Sequence, residues 1–168
     1  MIEAIAKRAS VRKFTDEPVT EDEVRTMLRA GMAAPSGGNQ QPWEFYVVRD
    51  RATLERLAEV TPYAKPAASA PCVIVPCMRT EGLRFPELAV QDVSAAVENI
   101  LLEAVELGLG AVWMGIAPHP EDMAAVSAIV DAPADLEPFA LIACGHPTAE
   151  PAPKGADRYD ESRVHWLS

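Results

Sequence analysis

The chain has 168 residues, 49% of them apolar and 24% charged, which is typical of one folded domain, and we expect a single domain over residues 1–168. Its formal net charge of −10 argues against binding to nucleic acid or to an anionic membrane, because such binding depends on excess Lys and Arg. No apolar run of about 18 residues and no signal peptide is found, so we expect a cytoplasmic protein without a membrane span.

The spacing of apolar residues predicts helices and strands that alternate along the chain. Thr20 and Glu23 form a capping-box pattern, which predicts a helix from this point through about Ala33. The other predicted elements are a helix over 2–8, a strand over 45–48, a helix over 53–60, a strand over 71–77, a helix over 88–108, a strand over 111–116, a helix over 120–130 and a strand over 139–144. This alternation favours a layered α/β or α+β fold.

The three cysteines are an odd number in a chain without an export signal, which argues against a disulfide framework. Cys72 and Cys77 are five residues apart on a predicted strand, so their side chains should lie on opposite faces. We interpret these two residues and Cys144 as buried structural thiols, with a redox or metal role as the alternative.

Cationic residues are concentrated near the two ends of this acidic chain. Arg8, Ser10 and Arg12 follow the first predicted helix and place a hydroxyl between two guanidinium groups. The planar fork of arginine suits phosphate oxygens, so this segment, together with Lys154 and Arg158 near the C-terminus, suggests a pocket for a compact anion. Ordinary solvated surface charge is the alternative.

The segment 34–43 is rich in small and amide residues and lies between a predicted helix and a predicted strand. Its two glycines let the backbone approach a ligand closely, and its Ser, Asn and Gln side chains supply the donors and acceptors that a flat heteroaromatic ring needs. A plain connecting loop is the alternative.

The segment 108–116 predicts a strand that ends at Met114 and Gly115. The end of such a strand can offer backbone N–H groups to a ligand, as ligand sites of α/β folds do. A helix end followed by an ordinary core strand is the alternative.

Motifs for other chemistries are absent from the sequence. It has no G-x-G-x-x-G after a strand, no P-loop, no C-x-x-C and no H-E-x-x-H. His119, His146 and His165 stand apart, and we interpret them as structural or surface residues. We therefore predict no metal site and no catalytic side chain, and we expect a cofactor to perform the chemistry if the protein is an enzyme.

Taken in order, these segments resemble the nitroreductase family of FMN-dependent oxidoreductases. The stretches that carry the resemblance are RASVRKF from residue 8, APSGGNQQPW from 34, SAPCVIVP from 69, QDVSAAVENILLEAVELGLGAVWMGI from 91, LIACGHP from 141 and PKGADRYDESRVHW from 153. The resemblance implies an α+β fold with a central, mostly antiparallel sheet flanked by helices. It also implies an intertwined homodimer with FMN at the subunit interface.

The resemblance assigns roles to cations at both ends of the chain. Arg8 and Ser10 match family positions at the FMN phosphate, and Arg12 matches the cation near the ribityl chain and the pyrimidine edge of the flavin. Lys154 and Arg158 are expected to complete the grip on the phosphate.

Two other segments match family positions at the flavin ring. The loop that reaches the flavin from the other subunit is matched by Pro35, Ser36, Gly37 and Asn39. Met114 and Gly115 match the segment whose backbone approaches the flavin N5 atom, although several relatives carry Glu in place of Met114. The stretch 79–89, where other relatives have an insertion over the flavin, is short in this chain.

The activity that the resemblance implies is hydride transfer from NADH or NADPH through the flavin to a small-molecule acceptor, such as a nitroaromatic or a quinone, in ping-pong order. One alternative is a module that stores or senses FMN without turnover. Another is a specialised family reaction, namely dehalogenation, flavin fragmentation or dehydrogenation.

Overall fold

One β-sheet with helices on both faces organises the described part of the chain, residues 1–152 and 158–167 of the computed structural model. Its elements, in chain order, are α1 (Glu3–Lys7), α2 (Glu21–Met32), β1 (Trp43–Val48), α3 (Arg51–Ala58), β2 (Cys72–Arg79), α4 (Ala89–Glu106), β3 (Gly110–Gly115), α5 (Pro120–Val130), β4 (Leu136–Pro138) and β5 (Ala140–Gly145). No helix among these residues is both long enough and apolar enough to cross a bilayer.

The strands pair in the order β1-β2-β5-β3, and β4 pairs with β2 beside β5. Every strand pair is antiparallel. The α+β expectation is therefore confirmed, and the α/β alternative, which requires parallel strands, is wrong.

Helix α2 begins where the sequence predicts. Glu23 N donates to Thr20 Oγ1 at 3.2 Å, and Thr20 N donates to Glu23 Oε2 at 2.7 Å, so both halves of the capping box are formed. The helix ends at Met32, just ahead of Pro35, because the residue before a proline is disfavoured in the helical region.

Helix α5 has the predicted bounds, whereas most other predicted boundaries were wrong by one to two residues, and one strand among the described residues was missed. Helix α3 begins at Arg51 because Asp50 accepts a hydrogen bond from Thr53 N at 2.9 Å and caps the helix two residues earlier. Helix α4 ends at Glu106, and Gly108 follows with a positive φ of 73°. The short β4 was not predicted.

Side chains from both faces of the sheet form the core. On one face α2 and α4 cover a cluster that contains Ile74, Ile100 and Cys72, and on the other α3 covers a cluster that contains Leu54 and Cys77. Residues 72–78 of β2 are all buried, as expected for a strand covered on both sides. Cys72 and Cys77 lie on opposite faces, as predicted.

The two ends of the sheet are distinct, and we name them by one residue each. At the Ser10 end, a row of paired residues runs across three strands, Ala111 with Cys144 and Cys144 with Cys72, and Ser10 forms a bridge to Ala111. At the Trp43 end, Trp43 pairs with Met78. Cys72 and Met78, which mark the two ends on β2, are six positions apart, which corresponds to roughly 20 Å.

Candidate functional site

A cavity of about 200 Å³ lies at the Ser10 end of the sheet. Its lining residues come from both ends of the chain and are Arg8, Ala9, Ser10, Arg12, Ala152 and Arg158. Three of the six carry guanidinium groups. The structure therefore brings together three residues expected at the FMN phosphate, Arg8, Ser10 and Arg158, with Arg12, which was expected near the ribityl chain; Lys154 lies outside the described residues.

The backbone of residues 8–11 is fixed against β3. Arg8 N donates to Ala4 O at 2.9 Å at the end of α1, and Val11 N donates to Ala111 O at 3.0 Å. Gly110 allows this close approach, because a Cβ at that position would lie 2.7 Å from Val11 Cβ. The cations of this segment are thus held by the sheet and not by a free loop.

The two N-terminal guanidinium groups have identified partners. Arg8 Nε lies 3.6 Å from Glu98 Oε1 of α4, and Arg12 donates to Ser10 O at 3.3 Å. None of the residues that line the cavity carries a carboxylate, so among the described residues its wall is cationic in a protein of formal net charge −10. Such a wall suits a compact anion with several oxygens.

Arg12 also borders a second, shallow recess of about 400 Å³, which the sequence analysis did not identify. Tyr63, 83% exposed, and Lys65 line it. Lys65 Nζ lies 2.6 Å from Glu59 Oε1. The recess is a neighbouring surface on which an aromatic ring and two cations are available.

The loop over 36–41 is fixed by a network centred on Asp92, which is 6% exposed. Gly37 N donates to Asp92 Oδ1 at 2.9 Å, and Gln40 Nε2 donates to Asp92 Oδ2 at 2.7 Å. The amide of Gln40 also exchanges two hydrogen bonds of 2.9 Å with the backbone of Phe85. The loop is therefore a rigid surface attached to the start of α4.

Arg79 holds the other side of this loop. Its guanidinium donates to Gln40 O at 3.0 Å and to Gln41 O at 2.8 Å. Arg79 and Asp92 were not identified from the sequence, and Gln40, expected among the ligand donors of its segment, uses its amide to bind Asp92 and Phe85. The only local indication was Asp92, a charged residue at an apolar position of α4.

Met114 and Gly115 end β3 at an open position. Met114 is buried, whereas Gly115 is exposed, and a Cβ on Gly115 would meet no atom within 4 Å. Among the described residues, β3 pairs with β5 on one side and is bridged on the other side at Ala111 by Ser10. The outer edge of β3 beyond Ala111 thus has backbone groups without a strand partner in that part of the chain.

Within one chain the predicted site residues form two groups that do not meet. Arg8, Ser10, Arg12 and Arg158 lie at the Ser10 end, and the loop residues Pro35, Ser36, Gly37 and Asn39 precede β1 at the Trp43 end. The two ends are roughly 20 Å apart along the strands. Gly115 lies on the same strand as Ala111, so β3 runs from the cavity to the other end of the sheet.

The described residues include no cluster of three or more His, Cys, Asp or Glu side chains that is placed to hold a metal ion. His119 and His146 lie in different parts of the fold, and His146 Nε2 is 3.8 Å from Glu17 Oε1. The site chemistry visible in the structure is therefore anion recognition by cations and backbone groups.

Comparisons with known proteins point to one family. The chain matches the sequence profile of the nitroreductase family over residues 5–62 and 59–146. It is 38% identical over 165 residues to a Methanothermobacter thermautotrophicus protein assigned as an NADH dehydrogenase/NAD(P)H nitroreductase, covering 98% of this chain and 85% of that protein.

Two solved structures have the same fold. An FMN-dependent nitroreductase from Clostridium difficile superposes with a TM-score of 0.91 at 26% identity, covering 100% of this chain and 99% of the other. A Desulfovibrio desulfuricans protein assigned as a nitroreductase, solved in complex with FMN, superposes with a TM-score of 0.83 at 34% identity, covering 99% and 96%.

Proposed function

The chain belongs to the nitroreductase family, and from this we propose that it is a homodimeric, FMN-dependent oxidoreductase that takes hydride from NADH or NADPH. The hydride passes to a small organic acceptor, with a nitroaromatic or a quinone as the expected class. We propose ping-pong order, in which the nicotinamide leaves before the acceptor binds.

The observation that carries this proposal is the cavity shared by Arg8, Ser10, Arg12 and Arg158. Guanidinium groups and a hydroxyl are the donors that a phosphate monoester requires, and FMN ends in such a group. Val11 N is hydrogen-bonded to β3 and Arg8 N to α1, so the backbone that carries Arg8 and Ser10 is already in position before a ligand arrives. Lys154 is proposed as a further phosphate ligand.

The flavin ring is proposed to lie along the open edge of β3. Gly115 is four residues beyond Ala111, which corresponds to about 13 Å of extended strand. The exposed Gly115 leaves room for a flat ring against the backbone, and Met114 and Gly115 are proposed to lie near its N5 atom. When bound there, FMN would accept hydride and give it up at N5.

A second copy of the chain is proposed to complete the site. The loop that carries Gly37 and Asn39 does not line the cavity of its own chain, and it is proposed to contact the FMN of the partner. Exposed apolar side chains on α1 and α4 support a dimer, since Ile2 is 69%, Ile5 47% and Val90 51% exposed.

The chain's own residues are proposed to bind and orient the reactants. Arg12 would place a positive charge near the pyrimidine edge of the ring, where it favours the form that carries extra negative charge. No side chain needs to act as a nucleophile. The pocket wall formed by the loop over 36–41 would exclude water from one side of the ring.

The test is to purify the protein, record its visible spectrum and identify the extracted chromophore by mass. We expect FMN, a dimer in sedimentation, and rapid bleaching of the bound chromophore by NADH or NADPH without oxygen. Binding of FMN without bleaching would instead indicate a storage or sensor module. A colourless monomer that does not bind added FMN would overturn the proposal.

A further inference from the structure

Cys72 and Cys144 lie directly opposite each other on the neighbouring antiparallel strands β2 and β5. Opposed residues of this kind share a face of the sheet, and their Cα atoms are about 4.5–5.5 Å apart. This separation lies within the range of about 4.4–6.8 Å that disulfides span. Both residues are free thiols, so the structure holds a pair that a small movement could join.

Both side chains of the pair are buried at one end of the sheet. Cys72 is the first residue of β2, and Cys144 is the last but one of β5, so the pair is at an end of the sheet. The exposed Arg49, just after β1, is near enough to act on both thiols. Neither sulfur is exposed, so a small oxidant reaches the pair when this end of the sheet opens locally.

The two thiols differ in their readiness to ionise. A hydrogen bond from Cys144 lowers the pKa of Cys72, and Arg49 adds to this effect. The pKa of Cys144 is raised well above its usual value, because its hydrogen bond to the Cys72 side chain and its burial both disfavour the thiolate. In the structure Cys144 Sγ lies 3.6 Å from Cys72 O. Cys72 is thus the nucleophile of the pair.

Cys77 provides an internal reference on the same strand. It lies on the opposite face of the sheet from Cys72, and its sulfur has a backbone neighbour, Val75 O, at 3.8 Å. Burial raises its pKa to about 12. Cys77 is therefore a buried thiol without the arrangement that distinguishes Cys72 and Cys144.

We propose that Cys72 and Cys144 form a redox-active dithiol that reacts with a peroxide and closes to a cross-strand disulfide. The Cys72 thiolate attacks one peroxide oxygen, the O–O bond breaks, and Cys72 becomes a sulfenic acid. The Cys144 sulfur then attacks the Cys72 sulfur, the S–S bond forms, and the S–O bond breaks. With hydrogen peroxide, the dithiol loses two electrons and two protons, and the peroxide is reduced to two waters.

The cysteine pair lies in the same row of residues as the proposed cofactor cavity, but its oxidation does not depend on that cavity. Cys144 also pairs with Ala111, which is bridged to Ser10, so the disulfide would lie in the row that runs to the cavity. The oxidation itself requires no flavin. Its test can therefore fail or succeed independently of the proposed function.

The test is to treat the purified full-length protein with one equivalent of hydrogen peroxide, alkylate it after unfolding and map the tryptic peptides. Residues 57–79 carry Cys72 and Cys77, and the peptide that begins at residue 85 carries Cys144. We expect these peptides to be linked, and the link to be reversed by dithiothreitol. Cys77→Ser should retain the link, which assigns it to Cys72.

Two further variants separate the steps. In Cys144→Ser, the sulfenic acid on Cys72 should persist and be trapped by dimedone, and in Cys72→Ser the first oxidation should be lost. The wild-type protein gives the decisive measurement even if a variant does not fold. Unlinked peptides after treatment, or alkylation of Cys77 that is lost as fast as that of Cys72, would overturn the proposal.

Discussion

Gln40 donates a 2.7 Å hydrogen bond from Nε2 to Oδ2 of Asp92 across 52 residues of sequence. The other carboxylate oxygen of Asp92 accepts from Gly37 N. A single buried carboxylate thus satisfies two donors of the loop over 36–41 and fixes this loop to the start of α4. In the proposed dimer, this is the loop that reaches the flavin of the partner.

We expect Asp92→Ala to lower the free energy of unfolding by about 1–3 kcal/mol, because it leaves Gly37 N and Gln40 Nε2 without their acceptor. Turnover with a nitroaromatic acceptor should also fall, since the loop would no longer be held in position. Urea denaturation and steady-state kinetics at saturating FMN measure the two effects. The control is Glu87→Ala, an exposed acid shortly before α4, which should shift stability by less than about 0.5 kcal/mol. An Asp92→Ala protein as stable and active as wild type would contradict the role of the network.

The larger elements of the fold could be predicted because each has a local cause. The capping box at Thr20 and the buried run of β2 are visible in neighbouring residues, and both were predicted correctly. The three-residue β4 was missed, since its pairing with β2 depends on a strand distant in sequence. The alternation of helices and strands did not distinguish an α/β fold from an α+β fold, because it does not reveal whether the strands are parallel or antiparallel.

The candidate site likewise contains residues that could be predicted from the sequence and contacts that could not. The cations around Arg8 and Arg158 were noticed as charge clusters, and the structure places them in one cavity. The contacts of Gln40 with Asp92 and Arg79 were not predicted, because these hydrogen bonds join segments about 40 to 50 residues apart without a local pattern. Charged residues that contact a ligand are thus easier to predict from the sequence than residues that hold a loop in position.

Arg8→Ala should weaken FMN binding by about 1.5–3 kcal/mol, the usual worth of a charge-assisted hydrogen bond. Riboflavin, which lacks the phosphate, should bind the variant as it binds the wild type. Fluorescence titration of apoprotein with each ligand checks this difference. Arg25→Ala removes an exposed cation that pairs with Glu21 on α2, and it should change neither affinity. Equal losses for both ligands in Arg8→Ala would assign Arg8 to the fold and not to the phosphate.

Two glycines of β3 should respond differently to replacement by alanine. In Gly110→Ala, the new Cβ would lie 2.7 Å from Val11 Cβ, so the strand or the 8–12 segment must shift, at a cost of about 1–3 kcal/mol in stability. In Gly115→Ala, the Cβ enters open space, so stability without FMN should change by less than about 0.5 kcal/mol. FMN affinity should nevertheless fall in Gly115→Ala, because the methyl group occupies the place proposed for the flavin. Unfolding of the apoprotein and FMN titration measure both quantities, and undiminished affinity in Gly115→Ala would remove the flavin from this edge.

The capping box predicts how stability at the start of α2 depends on pH. Hydrogen bonds from Thr20 lower the pKa of Glu23 below its usual 4.5 in the folded protein. Because the pKa of Glu23 is lower in the folded than in the unfolded protein, its carboxylate contributes fully to stability at a pH above the unfolded pKa. This contribution is lost as the pH falls through the folded pKa. We expect Thr20→Ala to cost about 1 kcal/mol at pH 7, the usual value for a lost N-cap, and less at a pH below the folded pKa of Glu23. Urea denaturation of wild type and variant across this pH range gives the difference.

Thr26→Ala is the matched control for this effect, because Thr26 is half-buried within the same helix and its hydroxyl donates to Asp22 O. Alanine is the better helix former, so this variant should be as stable as the wild type or slightly more stable, and equally so at every pH. The pH-dependent part of the Thr20→Ala effect then belongs to the capping box. If Thr20→Ala costs the same at both ends of the pH range, the 2.7 Å hydrogen bond from Thr20 Oγ1 to Glu23 Oε2 contributes nothing to stability.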